Sequence, residues 1–247
     1  MHYVEYGKEN NNVILLLHGG GLSWWNYEEV VNSLQKDYHI ILPILDGHAE
    51  SDNPFTTIED NAAEIIAFIE AHFGGSVFLI GGLSLGGQIV LEILSQRNDI
   101  CNYAIIESAL VIPSKLTYSM IKPAFGSCYG LIKHKWFSKL QFKSLKIKSD
   151  LFDSYFRDTC SISKEDMIAF LQANSLYSLK KSIKNCEAKV YVFVGGKEKS
   201  AMRKSAQIIY QTLRESVLQV LPGLHHGEFS INHGIDYANK IREISGC

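Results

Sequence analysis

One stretch of the chain indicates the fold before any other: Val77-Phe78-Leu79-Ile80-Gly81-Gly82-Leu83-Ser84-Leu85-Gly86, where a Gly-x-Ser-x-Gly pattern follows an apolar run. A strand that ends in a tight turn and starts a helix needs small neighbours, because a Cβ beside the strained turning residue would crowd it. Such a turn lifts the Ser84 hydroxyl clear of the sheet edge and frees the N–H of Leu85 to donate to an oxyanion. The pattern therefore predicts a nucleophilic serine at a strand–helix junction.

Short β-rich runs alternate with amphipathic segments on both sides of this junction. The runs predict buried strands of a mostly parallel sheet at Val13–Leu17, His39–Leu45, Val77–Ile80, Tyr103–Ile106, Val190–Val194 and Leu218–Leu221. Helical patterns lie between them, at Glu28–Leu34, Ile58–Phe73, Gln88–Gln96 and Met202–Leu213. The alternation predicts an α/β fold with a doubly wound, mostly parallel sheet and helices on both faces, which binds ligands at the carboxyl ends of its strands.

The interval 113–189 interrupts this alternation, because it contains aromatic-rich helical patterns and no convincing buried strand. Residues 114–189 also carry 14 Lys and Arg against 6 Asp and Glu. We expect a helical cap inserted over the carboxyl edge of the sheet, which divides the chain into a core of residues 1–112 and 190–247 and a cap of residues 113–189. Within the cap, Leu131–Ser149 is basic and amphipathic. It is compatible with a solvated lysine face, a membrane-surface segment or guidance of an anionic substrate.

Length and composition are ordinary for one large globular domain. The chain has 247 residues, 46% of them hydrophobic and 20% charged, with a net charge of −2, which does not indicate a nucleic-acid partner. No basic segment followed by an apolar run opens the chain, and no apolar run reaches the roughly 18–20 residues of a membrane span. The cysteines are odd in number and scattered, which favours free thiols in a reducing cytoplasm; they are Cys101, Cys128, Cys160, Cys186 and Cys247.

A serine hydroxyl becomes a good nucleophile only when a base takes its proton and an acid orients that base, and here the expected chain order is Ser, acid, His. The loop after the last predicted strand contains adjacent histidines, of which His226 is the favoured base and His225 the alternative; a surface loop with two solvated histidines is the other interpretation. Glu198 is the favoured acid, as the only carboxylate of the loop after Val190–Val194, although it could instead lie in an exposed charged turn. Glu107, from the neighbouring strand, competes for the role.

An oxyanion also needs a second backbone donor opposite the serine. The segment Leu17-His18-Gly19-Gly20-Gly21 follows the first strong strand, and its glycines let main chain approach a substrate closely. The N–H of Gly20 is the expected donor, paired with that of Leu85, and a tight strand-to-helix turn without this role is the alternative. The chain lacks the spacing of a dinucleotide or phosphate-binding loop and has no His-Glu-x-x-His, so neither a cofactor nor a metal is implied.

These motifs together resemble those of the α/β-hydrolase family, and the resemblance covers most of the chain. Leu17–Gly21 is similar to the family's oxyanion loop, and Pro222-Gly223-Leu224-His225-His226 is similar to its Pro-Gly-x-x-His, which supports His226. Leu42–Asp52 resembles the family's Pro-Asp-x-x-Gly-His-Gly-x-Ser loop, with Ile44 and Ala49 as departures. The resemblance implies that Glu198 stands where the family more often has Asp, and that the insertion is a cap that shapes the substrate pocket.

The expected activity is therefore that of a cytoplasmic, cofactor-free serine hydrolase that cleaves a small-molecule carboxylic ester. Ser84 would attack, His226 would act as base, Glu198 would orient the imidazole, and Gly20 and Leu85 would bind the oxyanion. The same residues could serve a thioester, an amide, a lactone or a carbon–carbon bond, because a fold does not determine a reaction. A receptor that retains the pocket but does not turn its ligand over is the alternative outside the enzymes.

Overall fold

The computed structural model of the chain describes residues 1–246, and its centre is a seven-stranded sheet. The strands are β1 (His2–Tyr6), β2 (Val13–Leu17), β3 (His39–Ile44), β4 (Val77–Leu83), β5 (Cys101–Glu107), β6 (Lys189–Gly195) and β7 (Ser216–Leu221). Their order across the sheet is β1-β3-β2-β4-β5-β6-β7. All neighbours are parallel except β1, which runs antiparallel to β3 along the edge.

Ten α-helices are present in the described part of the chain. They are α1 (Glu28–Leu34), α2 (Ile58–Phe73), α3 (Leu85–Gln96), α4 (Lys115–Cys128), α5 (Lys135–Leu145), α6 (Phe152–Ser161), α7 (Lys164–Leu176), α8 (Ser200–Thr212), α9 (Glu228–Asn232) and α10 (Gly234–Ser245). Every predicted strand and helix is found, with its ends displaced by at most three residues. The predicted doubly wound fold is confirmed, whereas β1, α9 and α10 were not predicted.

Both faces of the central strands are buried, as their continuous apolar runs require, whereas β1 and β7 at the edges are partly exposed. Alternate residues of β2 point to opposite faces: Leu15 and Leu17 pack in a core that includes α2, α3 and α8, whereas Ile14 and Leu16 pack in a core that includes α1 and α10. The period of two along a strand therefore divides one apolar segment between two cores.

Helix α2 shows how local sequence defines an element that supports the site. Its start is capped by Thr57, whose Oγ1 accepts a hydrogen bond from the N–H of Asp60 at 2.9 Å, and it ends at Gly74, which has a left-handed φ of 67°. The predicted buried stripe lies at the helical spacing of one face, and all four of its members are buried: Ala62, Ile65, Ile66 and Ile69.

Helices α4 to α7 and three short 3-10 turns form a helical insert between β5 and β6. The predicted boundaries overlap the sheet by one residue, because Lys189 already belongs to β6. Two hydrogen bonds, one buried and one partly buried, join the insert to the rest of the molecule. The indole Nε1 of Trp25 donates to Asp158 Oδ2 at 2.7 Å, and the N–H of Phe55 donates to Asp166 Oδ1 at 2.8 Å.

The strand order places a crevice at the carboxyl edge of the sheet. After β2 the chain continues to β3 on one side, and β4 then lies on the other side of β2, so the loops that leave β2 and β4 diverge from adjacent strand ends. Ligands bind at such points in open α/β sheets.

Among residues 1–246, no helix has both the length and the apolarity that crossing a membrane requires. Cys101, Cys128, Cys160 and Cys186 are free thiols, and Cys247 lies outside the described residues.

Candidate active site

Ser84 occupies a strained turn between β4 and α3. Its φ of 54° and ψ of −110° lie outside the regions that a side chain ordinarily allows, and the glycines on either side explain how the turn closes. A Cβ on Gly82 would lie 2.4 Å from the Gly86 backbone, and a Cβ on Gly86 would lie 2.2 Å from the Leu17 carbonyl oxygen. The Gly-x-Ser-x-Gly pattern is therefore needed for α3 to approach β2 and β4 this closely.

The structure brings His226 to this serine. His226 Nε2 lies 3.0 Å from Ser84 Oγ, and its Nδ1 lies 2.8 Å from Glu198 Oε2. A carboxylate can only accept hydrogen bonds, so Nδ1 carries the hydrogen and Nε2 is left to accept the hydroxyl proton of Ser84. Ser84 lies 142 residues before His226 in the chain, and Glu198 lies 28 residues before it, yet the three side chains form one chain of hydrogen bonds.

Glu198 is held in place from both of its oxygens. Oε2 accepts from His226, and Oε1 accepts from the Ser108 hydroxyl and from the N–H of Gly195, each at 2.7 Å. Burial, the largest single effect, raises the pKa of Glu198. His226 opposes this effect through a hydrogen bond and its charge, and Ser108 and Gly195 each add a hydrogen bond. These contributions together outweigh burial and hold the pKa of Glu198 below its usual value. The side chain is 2% exposed, so the group is a buried, fixed carboxylate.

The two alternative residues point elsewhere. His225 directs its Nδ1 to Glu228 Oε2 at 2.9 Å, so its ring is turned to its own loop. Glu107 Oε1 accepts from the N–H of Ser230 at 3.3 Å, and burial raises the pKa of Glu107 to about 7 against the opposing influence of Ser230 and His226. Its Oε2 is buried with no hydrogen-bond partner among residues 1–246. Glu107 thus lies behind the site rather than in contact with the His226 ring.

Gly20 and Leu85 stand beside each other at the crevice. A Cβ on Gly20 would lie 3.5 Å from Leu85 Cδ2 and 3.3 Å from Phe170 Cε2. Leu85 is the first residue of α3, whose N–H has no acceptor inside the helix. In the described part of the chain, neither the N–H of Leu85 nor that of Gly20 donates to another backbone or side-chain acceptor. Both donors are thus available to a ligand oxygen.

Two buried histidines shape the glycine loop, and sequence reasoning assigned them no role. His48 Nε2 accepts from the N–H of Gly21 at 3.0 Å, so that N–H is turned away from the crevice. His18 Nε2 accepts from the N–H of Leu45 at 3.1 Å, and its Nδ1 lies 3.0 Å from the Gly19 carbonyl oxygen, to which it donates. Both lie in the quoted loop motifs, which could have indicated a positioning role.

Burial keeps both of these rings neutral. Burial lowers the pKa of His18 to about 3, with a further contribution from His48. Burial likewise lowers the pKa of His48 to about 4, against the opposing influence of the Asp46 and Leu45 backbone groups. A neutral His48 can keep one nitrogen free to accept from Gly21, which a protonated ring could not do. The ring also stacks on Phe170 of α7, with 4.6 Å between ring centroids.

Two pockets flank these residues. One, of about 400 Å³, lies beside His226 and is lined by Ser144, Leu145, Lys197, Glu198, Lys199, Met202, His225 and His226. The other, of about 160 Å³, lies over the glycine loop and is mostly apolar, with a lining of Gly20, Gly21, Leu22, Phe125, Ile132, Gln141, Leu145, Tyr155, Thr159, Met167, Phe170 and Leu171. Leu145 borders both pockets.

Among the described residues, no group of three or more His, Cys, Asp or Glu side chains is arranged to hold a metal ion.

Comparison with known proteins agrees with this fold. The sequence model of the alpha/beta hydrolase fold family matches residues 12–209, and the chain belongs to that family. It is similar to an AB hydrolase superfamily protein of Gibberella zeae, with 30% identity over 132 residues, or 52% of this chain and 45% of that protein. It is also similar to Epoxide hydrolase 4 of Homo sapiens, with 26% identity over 187 residues, or 69% of this chain and 50% of that protein. The chain spans about half the length of these relatives.

Among solved structures, the chain is similar to an esterase from Exiguobacterium antarcticum. The TM-score is 0.84 at 17% sequence identity, and the match covers 100% of this chain and 95% of the esterase chain. An identity this low carries the architecture alone. The family membership and the fold are therefore established, and the reaction has to be argued from the side chains of the site.

Proposed function

We propose that this protein is a serine hydrolase that cleaves a carboxylic ester through an acyl-enzyme. The observation that carries the proposal is the hydrogen-bonded chain from Ser84 Oγ through the His226 ring to Glu198, at 3.0 and 2.8 Å. A serine beside an imidazole whose other nitrogen is held by a carboxylate is the arrangement that activates a hydroxyl for attack on a carbonyl.

In the proposed reaction, Ser84 Oγ attacks the ester carbonyl carbon while His226 Nε2 takes the hydroxyl proton. The imidazolium is stabilised by the Glu198 carboxylate, and Nε2 then gives the proton to the departing alkoxide oxygen. A water molecule, deprotonated in turn by Nε2, attacks the acyl-enzyme carbonyl; Nε2 then returns that proton to Ser84 Oγ as the C–O bond to the serine breaks and the carboxylic acid leaves. Each step uses the same nitrogen, which explains why Nδ1 must be occupied by Glu198 throughout.

Charge develops on the carbonyl oxygen in both tetrahedral intermediates. The N–H groups of Gly20 and Leu85 are the donors assigned to this oxygen, and removal of one such donor costs roughly 3–4 kcal/mol of transition-state stabilisation in comparable sites. His18 and His48 are positioning residues for the loop that carries Gly20, because they hold the groups on either side of it.

The two pockets suggest how an ester would bind. The leaving alcohol takes its proton from His226, so it belongs in the pocket beside that ring. The acyl group then extends into the mostly apolar pocket over Gly20 and Gly21, which the helical insert closes with residues such as Phe125 and Met167. We assign the insert (predicted as 113–189) the role of a cap on this basis.

Epoxide opening, which the name of the human relative raises, fits this site poorly. Attack of a serine oxygen on an epoxide carbon forms an ether, and the His226 base cannot cleave an ether with water. Attack on an ester, thioester or amide forms an ester of Ser84, which water can hydrolyse. The nucleophile type therefore favours acyl transfer, and a carboxylic ester is the first substrate to test.

The test is covalent labelling by a fluorophosphonate, read as intact mass, together with hydrolysis of p-nitrophenyl esters of increasing acyl length. We expect one adduct and measurable turnover on the unmodified protein, and neither on Ser84→Ala. Ser119→Ala, which removes an exposed hydroxyl on α4, is the matched control and should retain both. Absence of an adduct on the unmodified protein, or turnover by Ser84→Ala close to that of the unmodified protein, would overturn the proposal.

A further inference from the structure

The helical insert contains a charge pattern that the proposed reaction does not use. Residues 108–149 include eight lysines and not one Asp or Glu. Two of the lysines are paired with acids from outside this stretch, Lys135 with Asp153 and Lys148 with Glu29. Others have no ion pair within residues 1–246, namely Lys115, Lys122, Lys143 and Lys146. The insert therefore presents a strongly basic exterior on a chain of net negative charge.

Helix α5 exposes large apolar side chains among these lysines. It buries Ser138 and Phe142, whereas Trp136 is 65% exposed and Leu140, one turn later, is 63% exposed. A helix with only a solvated lysine face would bury its aromatic and leucine residues. The outward face of α5 is thus apolar and basic together, which is the composition of helices that lie at a membrane interface.

Helix α4 has the same character. Of its 14 residues only Ile121 is buried, while Leu116 is 72% exposed and Met120, four residues on, is 59% exposed. The two helices border a common apolar pocket of about 180 Å³, to which Phe125 and Phe137 contribute, so they are neighbours. We give the name α4–α5 surface to nine exposed lysines and large apolar residues of these two helices and of the position after α5: Lys115, Leu116, Met120, Lys122, Trp136, Lys139, Leu140, Lys143 and Lys146.

We propose that the α4–α5 surface binds the surface of a membrane that contains anionic lipids. A second copy of this chain is a poor occupant, because a two-fold contact would set the lysines against themselves. A nucleic acid would satisfy the lysines but would leave Leu116, Met120 and Leu140 without an apolar partner. A bilayer with anionic headgroups supplies both, since the headgroups attract the lysines and Trp136 fits the boundary between headgroups and acyl chains.

The location of this surface relates it to the candidate active site. Leu145 is the last residue of α5, and it lines both the pocket beside His226 and the pocket over Gly20. A protein docked through α5 would hold the mouth of the cleft close to the lipid. Membrane binding goes beyond the proposed hydrolysis and does not depend on it, so Ser84→Ala should bind as the unmodified protein does.

The experiment is co-sedimentation of the whole chain with vesicles of phosphatidylcholine alone or with 30% phosphatidylserine, at 50 and 500 mM NaCl. We expect binding to the anionic vesicles at low salt and release at high salt. Lys143→Gln with Lys146→Gln should weaken binding about 25-fold, at about fivefold per lysine. Trp136→Ala with Leu140→Ala should weaken it at least tenfold. The matched controls are Lys184→Gln and Ile235→Ala, exposed residues outside the α4–α5 surface, which should bind normally.

Thermal unfolding of each variant keeps loss of binding distinct from loss of folding, and these replacements of exposed residues should leave the Tm unchanged. The proposal is overturned if the unmodified protein does not bind anionic vesicles at low salt. It is also overturned if the Trp136 and Leu140 variant binds normally, because the contact would then be electrostatic adsorption alone. A concentration-dependent dimer that the same variant abolishes would identify the surface as a self-contact and would overturn it as well.

Discussion

Ser108 connects the acid of the candidate site to the neighbouring strand. It follows β5 directly, has a left-handed φ of 55°, and donates its hydroxyl to Glu198 Oε1. Its N–H donates to the Phe193 carbonyl oxygen of β6 at 3.0 Å, so the strained residue is held by two bonds to the next strand and its loop. We interpret Ser108 as a positioning residue that orients Glu198, and through it His226.

Replacement of Ser108 by glycine separates this role from stability. Glycine adopts a positive φ without strain, so the folded state should lose little stability, whereas the carboxylate of Glu198 loses one of its donors. A hydrogen bond to a charged group contributes about 1.5–3 kcal/mol, and relief of the positive-φ strain offsets part of that loss in the fold, so we expect kcat/KM to fall at least tenfold while the Tm falls only slightly. Ester hydrolysis and thermal unfolding of the same preparation test this. An unchanged kcat/KM would refute the positioning role.

Glu107 is a carboxyl group with a different effect on the molecule. It is 1% exposed, and its pKa of about 7 lies above the ordinary value of 4.5. The folded protein therefore keeps a proton that the unfolded chain releases between about pH 4.5 and 7, and over this range Glu107 makes the fold less stable as the pH rises.

Glu107→Gln should remove this loss of stability. Relative to the unmodified protein, the variant should gain roughly 3 kcal/mol in free energy of unfolding between pH 4.5 and pH 8, because a shift of about 2.5 pKa units corresponds to that energy. Urea unfolding at both pH values measures the gain. If the two proteins show parallel pH dependences, Glu107 is ionised in the folded state and this assignment is wrong.

The contact between α3 and the end of β2 determines whether the proposed oxyanion donors, Gly20 and Leu85, face the same point. Gly86, in the first turn of α3, lies against the carbonyl oxygens of Leu17 and His18, at distances that leave no room for a side chain. These are backbone atoms of a central strand and its loop, so they cannot move aside. The helix itself would have to shift, and it carries the N–H of Leu85.

Gly86→Ala should therefore displace α3 from β2. We expect a loss of at least about 2 kcal/mol in free energy of unfolding, together with loss of fluorophosphonate labelling. Gly126→Ala is the matched control, because a Cβ on that glycine of α4 meets no atom within 4 Å and alanine favours the helix. Labelling of Gly86→Ala at the rate of the unmodified protein would contradict the geometry of this contact.

The stability of the whole molecule should depend on two histidines between the sheet and the insert. His18 and His48 lie with ring centroids 4.9 Å apart, and His48 stacks on α7 of the insert. Their pKa values of about 3 and 4 lie below the ordinary 6.5. Below about pH 6.5 both histidines bind protons in the unfolded chain but stay neutral in the folded protein. Acid therefore lowers the free energy of unfolding until the pH falls below the pKa values of the two folded-state histidines.

His48→Gln should reduce this sensitivity to acid. The unmodified protein should lose more stability than the variant between pH 7 and pH 4, by roughly 3 kcal/mol, the equivalent of the lowered pKa of His48. Urea unfolding of both proteins across this range makes the comparison, in which the opposite influence of Glu107 cancels. Equal losses of stability in the two proteins would mean that His48 is protonated in the fold.

Most of the architecture could be predicted from patterns within a few residues of each other. Apolar runs identified six strands, and the 3.6-residue spacing of Ala62, Ile65 and Ile69 identified the buried face of α2. The short edge strand β1 was missed because polar residues interrupt its aromatic and aliphatic ones and leave no apolar run. Helices α9 and α10 were also missed, because the last predicted element ended at Leu221, before the histidine loop that precedes both helices.

The local sequence of this chain determined the position of Ser84, the glycines around it and the alternation that makes a doubly wound sheet, because turns and periodicities depend on neighbouring residues. Only the tertiary structure decided that His226 contacts Ser84 and Glu198 contacts His226, while His225 and Glu107 have other partners. It also decided that Trp136 and Leu140 face outward while Phe142 faces inward. Such contacts join residues far apart in the chain, and they depend on strand order and packing, which no local pattern encodes.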